Sequence, residues 1–456
     1  MPRIEEYQLQ ERLRFSRLEY LAACVYNIYA LFFKLQDEER PRAIAVLKES
    51  LERTLAQCRQ LVGRIEKNEH DDDHSFVKRR YSIVKFVVKY FEAEDDVPSI
   101  FDIEKAHFSQ SSLGDSGRSV VEGMEYGEKP ECLPSANPVI SAFQANLIPG
   151  GLIFVINSHH YSNDAENYYS IFNNSTPPPW NPANLDSTRF TASDFPSSSK
   201  VDGPTPPECQ PLLRAHSSLL LHLPKSKAGK LKRLVTPTES AEVGTWSSSY
   251  DAFAALLCRV ITRHRAVLYK ASPGETPLLA EGVNMRIRTD LPVAPRQQRN
   301  LFWAAASETF PDPLTVKQIA SSEHEFPLSH LASKLRTMTK SMNQAALNQA
   351  LAMLAPIRDK TCLFTRVNSF PPLSLAVSDW RPAAVRGADF GFARPCAYRH
   401  FFDAVTEGPI LVYPPRVSSN YDNEGCELVV AVEIEIIEAV LGDSELKNIS
   451  NSGATS

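Results

Sequence analysis

The sequence predicts an α/β protein, in the broad sense that includes α+β folds, with two domains. The chain has 456 residues, which is more than a single hydrophobic core usually supports. Hydrophobic residues make up 43% of it and charged residues 23%, so each half can bury a core of its own. Strand-like and helix-like patterns occur in both halves. We therefore predict a first domain over residues 1–172, a crossover linker over 173–235 and a second domain over 236–456.

The elements of the first half are predicted from the spacing of apolar residues. Residues 21–33 are mostly apolar or aromatic and predict a strand, as do residues 81–90. Between them, apolar side chains recur every three or four positions over residues 40–66, which is typical of an amphipathic helix. Residues 152–159 form an apolar, β-branched run after a Pro-Gly-Gly turn and predict a buried strand. Residues 165–172 have helical spacing, so this part of the chain is predicted as strand, turn and helix.

The second half begins after a change of composition. The segment 173–235 is rich in proline, serine and asparagine over most of its length, which is typical of a crossover linker. Residues 246–266 then predict a helix, because their apolar side chains share one face and one of the three serines at positions 247 to 249 can cap the first turn. Residues 428–437 alternate apolar with acidic side chains, as a half-buried strand does.

Composition excludes several classes of partner. The formal net charge is −5 and the basic clusters are short, which argues against nucleic acid and anionic membrane. The first residues lack the apolar segment of a signal peptide, and eight cysteines without metal-ligand spacing suit a reducing compartment. Asp71, Asp72, Asp73 and His74 could suggest a metal site, but three consecutive acids between two elements are more often a solvated turn. We expect a cytoplasmic protein without a metal.

The candidate catalytic residues lie where the predicted strand 152–159 ends. His159 and His160 close the strand, and Asp164 follows where the next helix should begin. An imidazole at the mouth of a sheet can titrate near neutral pH and act as a general base. The alternative is structural: two half-buried side chains at a strand end, with Asp164 as the N-cap of the helix. The spacing His-x-x-x-Asp does not by itself decide between the two.

Together with a second motif far downstream, this segment resembles the signatures of the BAHD acyltransferases. Those signatures are His-x-x-x-Asp-Gly and, near the C-terminus, Asp-Phe-Gly-Trp-Gly; here they run from His160 to Ala165 and from Asp389 to Ala393. Weaker similarities occur in the family's order at residues 61–65, 249–256, 284–288, 300 and 378–382. The resemblance is closest to the fungal branch that includes trichothecene acetyltransferases.

The resemblance implies a chloramphenicol-acetyltransferase-like architecture, with two similar domains of mixed β-sheet flanked by helices and a solvent channel through their interface. Acyl-CoA would enter from one side as a co-substrate and a small-molecule acceptor from the other, with His160 between them. The implied reaction transfers an acyl group, acetyl by preference, to a hydroxyl of a specialised metabolite. Because a thioester is already activated, neither a bound cofactor nor a covalent intermediate is required. A monomer is expected.

The same resemblance implies roles for individual residues of the first signature. His160 would be the general base. Asp164 would point away from the chemistry and pair with an arginine on a neighbouring strand. Arg286 is the preferred partner and Arg288 the alternative, because both would point to the same face of that strand.

The downstream residues would serve the interface and the acyl donor. Asp389 is expected to be structural, and Ser378 and Trp380 lie at positions close to the donor channel, so they are the predicted CoA contacts. Two departures from the family pattern are visible. Ala165 replaces a glycine where ordinary helical dihedrals suffice, whereas Ala393 would be strained if its φ had to be positive.

Two alternatives to acyl-CoA chemistry stay open on the sequence. One is a condensation-type enzyme that uses a carrier protein and shares the histidine-rich strand end. The other is a non-acylating descendant that keeps the cavity as a chamber for binding or cyclising a metabolite. The retained His160 argues against the second alternative, while the altered downstream loop favours it.

Overall fold

The computed structural model describes residues 10–92, 95–162, 164, 199–236, 247–290, 293, 299–309, 312–363, 365–382, 384–401, 409–416, 423–449 and 451–455. Within these ranges the helices are α1 (Arg40–Gln57), α2 (Ile100–Lys105), α3 (Lys225–Val235), α4 (Ser249–Leu268), α5 (Val316–Ala320), α6 (Leu328–Ser341), α7 (Gln344–Leu354), α8 (Ile437–Gly442) and α9 (Ser444–Ile449).

The strands, numbered in chain order, are β1 (Gln10–Arg14), β2 (Tyr26–Lys34), β3 (Arg64–Lys67), β4 (His74–Arg79), β5 (Lys85–Tyr90), β6 (Ser141–Ile148), β7 (Gly151–His159), β8 (His216–Leu223), β9 (Leu279–Asn284), β10 (Phe302–Ala306), β11 (Leu375–Asp379), β12 (Ala397–His400), β13 (Pro409–Tyr413), β14 (Cys426–Glu433) and β15 (Asn451–Thr455).

Two large mixed sheets dominate the fold. The first has the strand order β12-β2-β7-β6-β5, in which only the β5–β6 pair of the described strands is parallel. The second has the order β10-β9-β11-β13-β14-β8-β15, with β11 parallel to both of its neighbours. A small sheet, β1-β4-β3, completes the described strands. Helices flank these sheets, so the predicted mixed α/β class is confirmed.

The second half of the chain contributes a strand to the first sheet. Strand β12 belongs to the second half by sequence, yet it pairs with β2 in the first sheet. The loop before β12 also packs against the first sheet, because the rings of Phe390 and Phe392 each lie 5.1 Å from the ring of Phe33 on β2. Strand β8 and helix α3 lie inside the range 173–235 that we assigned to the linker. The division of the chain at that range stays a prediction.

Several predicted elements occur with shifted ends. Strand β2 starts at Tyr26 rather than at residue 21, and β14 ends at Glu433. The helix predicted over 40–66 was too long, because α1 ends at Gln57 and the chain turns into β3. At that turn Gly63 approaches β4 so closely that a Cβ would lie 2.5 Å from the carbonyl oxygen of Val77. The helix predicted over 165–172 lies outside the described residues.

The helix predicted over 246–266 is α4, and its start has a clear chemical cause. The Ser248 hydroxyl accepts a hydrogen bond from the Asp251 amide, while the Asp251 carboxylate accepts one from the Ser248 amide. This capping box satisfies two backbone donors at the first turn. Ser248 is therefore the cap among the three serines considered. Leu256, Val260 and most other apolar residues of α4 lie in the core of the second sheet, whereas Val267 near its end is exposed.

The acidic turn at residues 71–73 is accounted for by ion pairs. Asp73 pairs with the ammonium of Lys360 at 2.6 Å and with the guanidinium of Arg14 at 2.7 Å. Among the described residues, no cluster of three or more His, Cys, Asp or Glu side chains has the geometry to hold a metal ion. In the same part of the chain, no helix combines the length and the apolar character that a membrane crossing requires.

One buried carboxyl group on β9 makes the stability of the fold depend on pH. Glu281 is 2% exposed, and its carboxylate accepts hydrogen bonds from Thr339 and Tyr250. Burial raises the pKa of Glu281 to about 7, and the neighbouring Asp251 raises it further, while the two hydrogen bonds and Arg288 act against the rise. A raised pKa means that the folded protein holds a proton that the unfolded chain releases near pH 4.5.

We predict that Glu281→Gln stabilises the protein at pH 8 by about 2 kcal/mol, with little effect at pH 5. The native state binds more protons than the unfolded state between pH 4.5 and about 7, so wild-type stability falls as pH rises through that window. Urea unfolding at both pH values measures the difference. The exposed residue Glu438 provides the control, since Glu438→Gln should change stability little at either pH. Equal effects of Glu281→Gln at pH 5 and pH 8 would contradict the prediction.

Candidate active site

His160 sits at the junction between the two sheets. All nine residues of β7 are buried, and a 3₁₀ turn over His160–Ser162 follows the strand. The amide of His160 donates to the carbonyl of Val25 at 2.9 Å. Its half-buried ring stacks on the ring of Phe302 from β10, with centroids 5.6 Å apart and planes 10° apart. The imidazole is therefore held between a strand end of one sheet and an aromatic side chain of the other.

The neighbouring His159 has a different environment. It is fully buried, and its Nδ1 accepts a hydrogen bond from the amide of Tyr161 at 3.2 Å. Its Nε2 therefore carries the proton and donates to the carbonyl of Cys132 at 2.8 Å. Burial lowers the pKa of His159 to about 4. Both nitrogens of this imidazole are used by the backbone, so His159 is a structural residue.

Asp164 and Arg286 form a bidentate ion pair that joins the two halves of the chain. The guanidinium nitrogens lie 2.8 and 3.0 Å from the two carboxylate oxygens, and both side chains are buried. The carboxylate also accepts a hydrogen bond from the amide of Leu301 at 2.8 Å. Asp164 thus points toward the second half of the chain, and Arg286 is the arginine that contacts it.

We expect Arg286 and Arg288 from the sequence to point to the same face of a strand, but the structure does not place them on one. Strand β9 ends at Asn284, and both arginines lie in the turn that follows. Arg288 instead donates to the carbonyl of Thr339 at 2.8 Å, near the end of α6. The expectation was wrong because the chain leaves the extended conformation two residues before Arg286, which removes the alternation of a strand.

The segment from Arg299 to Phe302 contacts the His160 turn at several points. Asn300 donates from its amide nitrogen to the carbonyl of His160 at 2.7 Å. The Leu301 amide binds Asp164, and Phe302 stacks on His160 as described above. The sequence had pointed to Asn300 through the family pattern alone, without a role. The contributions of Leu301 and Phe302 were missed, because neither residue type marks a catalytic site.

Ser378 and Trp380, the predicted donor contacts, lie beside each other at the end of β11. The indole nitrogen of Trp380 donates to the Ser378 hydroxyl at 2.9 Å. The Trp380 ring lies 4.4 Å from the ring of His400 on β12. Burial lowers the pKa of His400 to about 3, and the charge of nearby His160 lowers it further. An aromatic cluster therefore connects these two residues with the surroundings of His160, and their role toward CoA stays a prediction.

The Asp389 loop has a local structural function. Asp389 is exposed, and its carboxylate accepts a hydrogen bond from the amide of Gly391 at 2.8 Å. Gly391 has a φ of 83°, which glycine adopts without strain. Ala393 does not have a positive φ, and its carbonyl accepts a hydrogen bond from the Phe390 amide. The alanine therefore fits this position without backbone strain. Ala165 lies outside the described residues.

A cleft opens between the two sheets. Its walls come from β8, β12, β13 and β14 and from the loop after α2. Apolar side chains such as Leu220 and Val429 form much of the surface, and Ser218 and Gln110 add polar groups. His400 belongs to both this wall and the aromatic cluster with Trp380. The cleft thus reaches the neighbourhood of the candidate site.

Comparison with known families agrees with the geometry. Residues 25–173 match the trichothecene 3-O-acetyltransferase-like N-terminal domain, and residues 173–446 match the transferase family. The chain is a BAHD acyltransferase. It is 46% identical over 451 residues to acetyltransferase FGR3 of Gibberella zeae. The aligned region covers 96% of this chain and 89% of that relative.

Solved structures of distant relatives share the fold of this BAHD acyltransferase. TRI101 of F. sporotrichioides, solved with coenzyme A and T-2, superposes with a TM-score of 0.77 at 17% identity, covering 97% of this chain and all of that one. Vinorine synthase superposes with a TM-score of 0.59 at 18% identity, covering 97% and 94% of the two chains. At these identities the likeness establishes the fold.

We predict that Asp164→Ala and Arg286→Ala each lower the free energy of unfolding by about 3–5 kcal/mol, because each leaves the opposite charge buried without its partner. Acyl-transfer activity should fall together with stability. Denaturant unfolding of both variants and of the double variant measures the coupling, and the double variant should cost less than the sum of the two. Glu49→Ala, which removes an exposed pair with Arg53, is the control. A fully stable Asp164→Ala protein with only a rate defect would instead indicate a catalytic dyad.

Proposed function

We propose that this acyltransferase moves an acetyl group from acetyl-CoA to a hydroxyl of a secondary metabolite, with His160 as the general base. The observation that carries the proposal is the placement of His160: its backbone is fixed from both halves of the chain, while its half-buried ring stacks on Phe302 of the other sheet. The relative at 46% identity is named an acetyltransferase, which supports acetyl as the acyl group.

The reaction needs one base and one activated donor. His160 takes the proton of the acceptor hydroxyl as the oxygen attacks the thioester carbonyl. A carbon–oxygen bond forms and a tetrahedral oxyanion results. When that intermediate collapses, the carbon–sulfur bond breaks, and the imidazolium returns its proton to the departing thiolate. The products are the acetyl ester and the CoA thiol, and His160 is regenerated.

The donor is proposed to pass close to Ser378 and Trp380. TRI101 has been solved with coenzyme A, which supports a CoA-using chemistry for this fold. Both side chains are half-buried at the end of β11, and they border the aromatic cluster next to His160. A hydroxyl and an indole at that place can contact the pantetheine arm without adding charge.

The acceptor is proposed to occupy the cleft between the sheets. TRI101 has been solved with T-2 and with deoxynivalenol, which supports a polycyclic alcohol as the chemical class. The cleft walls are largely apolar, and the one guanidinium in its lining, Arg399, is paired with Glu427 at 2.7 Å. An uncharged, mostly apolar acceptor fits such a lining better than a carboxylate does.

The alternatives are less well supported. A carrier-protein condensation enzyme or a non-acylating chamber would share the fold, but the acetyltransferase that covers nearly the whole chain favours acyl transfer from CoA. The retained geometry at His160 and the unstrained Ala393 weaken the argument for a lost activity. A cytoplasmic location and a monomeric state stay predictions.

We predict that His160→Ala lowers acyl transfer by about 10²–10⁴-fold while leaving the fold intact, since a general base contributes within that range. The release of CoA thiol from acetyl-CoA, measured with trichothecene alcohols as acceptors, provides the assay. His324→Ala, at an exposed position, should retain full turnover. Unchanged turnover in His160→Ala would contradict the proposed general-base mechanism.

We also predict that acetyl-CoA raises the melting temperature in a concentration-dependent manner, because a ligand that binds only the folded state stabilises it. Trp380→Ala should weaken this shift, whereas Trp303→Ala, a tryptophan on β10, should not. Calorimetry with acetyl-CoA checks the same affinity independently. If acyl-CoAs give neither a thermal shift nor measurable heat, while an apolar metabolite does bind, the chamber alternative is the better description.

A further inference from the structure

Arg299 has an unusual backbone conformation for its residue type. Its φ is 83°, in the left-handed region that favours glycine, and its side chain is 2% exposed. A non-glycine residue there costs on the order of 1 kcal/mol, and a buried guanidinium costs more unless it is paired. The surrounding structure must compensate both costs.

The compensation comes from a residue 280 positions earlier in the sequence. Nε and Nη2 of Arg299 donate to the two carboxylate oxygens of Glu19 at 3.0 and 2.9 Å, and Nη2 also donates to the carbonyl of Arg14 at 2.7 Å. Glu19 is fully buried. The guanidinium lies 5.7 Å from the ring centre of Phe76. Residues of the first half of the chain therefore bind the side chain of Arg299, which belongs to the second half.

Arg299 also begins the segment that holds the catalytic turn. Its carbonyl accepts a hydrogen bond from Arg286 at 2.9 Å, and Arg286 pairs with Asp164. The next residue, Asn300, donates to the His160 carbonyl, and Phe302 stacks on the His160 ring. A change in the backbone at residue 299 would therefore alter the contacts made to His160 by the residues that follow.

We propose that the Glu19–Arg299 ion pair is a positioning device for His160. It fixes the left-handed turn at residue 299, and that turn sets the places of the Asn300 amide and the Phe302 ring. Neither Glu19 nor Arg299 touches the reacting atoms. The inference rests on the proposed function only in taking His160 as the base, since the predicted effect on the position of the imidazole is independent of activity.

The test compares Glu19→Gln with a matched control elsewhere in the fold. Arg265 and Glu433 form an equally buried pair, with both side chains 0% exposed and 2.9 Å between Nε and Oε2. Glu433→Gln should therefore cost similar stability without touching the His160 turn. A second variant, Glu19→Gln with Arg299→Met, removes both charges and leaves a non-glycine residue at the positive φ, where only the ion pair would have offset its cost. It keeps the test available if Glu19→Gln alone does not fold.

Two measurements are made on the full-length protein. The first is the ¹H–¹⁵N spectrum of histidine-labelled protein, with the His160 signals assigned by their loss in His160→Ala. The second is the turnover of acetyl-CoA with deoxynivalenol or T-2 as the acceptor. We expect Glu19→Gln and the double variant to shift the His160 signals and to lower kcat about 10–100-fold, with KM for acetyl-CoA within about twofold of wild type. Glu433→Gln should leave both readouts unchanged.

The outcomes separate the inference from the proposed function. Wild-type His160 signals in a folded double variant would overturn the positioning role, whatever the activity. Equal losses of kcat in Glu19→Gln and Glu433→Gln would also overturn it, because a general loss of stability would then explain both. If the wild-type enzyme turned over neither acceptor, shifted His160 signals in the Glu19 variants alone would still support the positioning role, while the proposed acceptor class would fall.

Discussion

The buried ion pair between Asp164 and Arg286 is the interaction on which the site depends. An isolated carboxylate or guanidinium in that environment would cost several kcal/mol, and each charge offsets this cost for the other by lying within hydrogen-bond distance. Asp164 follows β7 and its 3₁₀ turn in the first half, and Arg286 follows β9 in the second. Their pairing therefore fixes how the two sheets meet, and the amide of Leu301, which completes the carboxylate, brings the 299–302 segment to the same point. The segment that contacts His160 is thus connected to the same buried pair.

A second constraint acts at the other side of the interface. Strand β12 leaves the second half to pair with β2, and the preceding loop inserts Phe390 and Phe392 against Phe33. Opening the two halves would break a strand pair and expose these rings at the same time. Hydrophobic burial and backbone hydrogen bonds thus hold the interface together independently of the ion pair. A cleft between sheets joined in this way is formed by the fold itself.

The sequence was most informative where local patterns coincide with burial. The apolar run of β7, the serine cap of α4 and the motif around His160 each follow from residues close together in the chain, and the structure has them at the expected places. Arg286 was correctly connected with Asp164, although the assumed strand geometry was wrong because β9 ends two residues earlier. The Glu19–Arg299 pair could not be predicted from the sequence, because two residues of opposite charge 280 positions apart form no recognisable local pattern. Arginine also gives no sign that its φ will be positive. Such contacts depend on tertiary packing, which local propensity does not encode.

The adjacent residues His159 and His160 have different environments, although they lie one position apart in the chain. His159 is the last residue of β7 and points into the core, where two backbone groups and burial keep its imidazole neutral. His160 begins the 3₁₀ turn, so its ring leaves the alternation of the strand and reaches Phe302 in the other sheet. A buried imidazole with both nitrogens committed cannot exchange a proton with a substrate, whereas the half-buried ring of His160 is the base of the proposed mechanism. Acyl transfer from a thioester asks for little more than such a base in a fixed place. The fold gives the two histidines different surroundings by ending a strand between them and by fixing the second one from both halves of the chain.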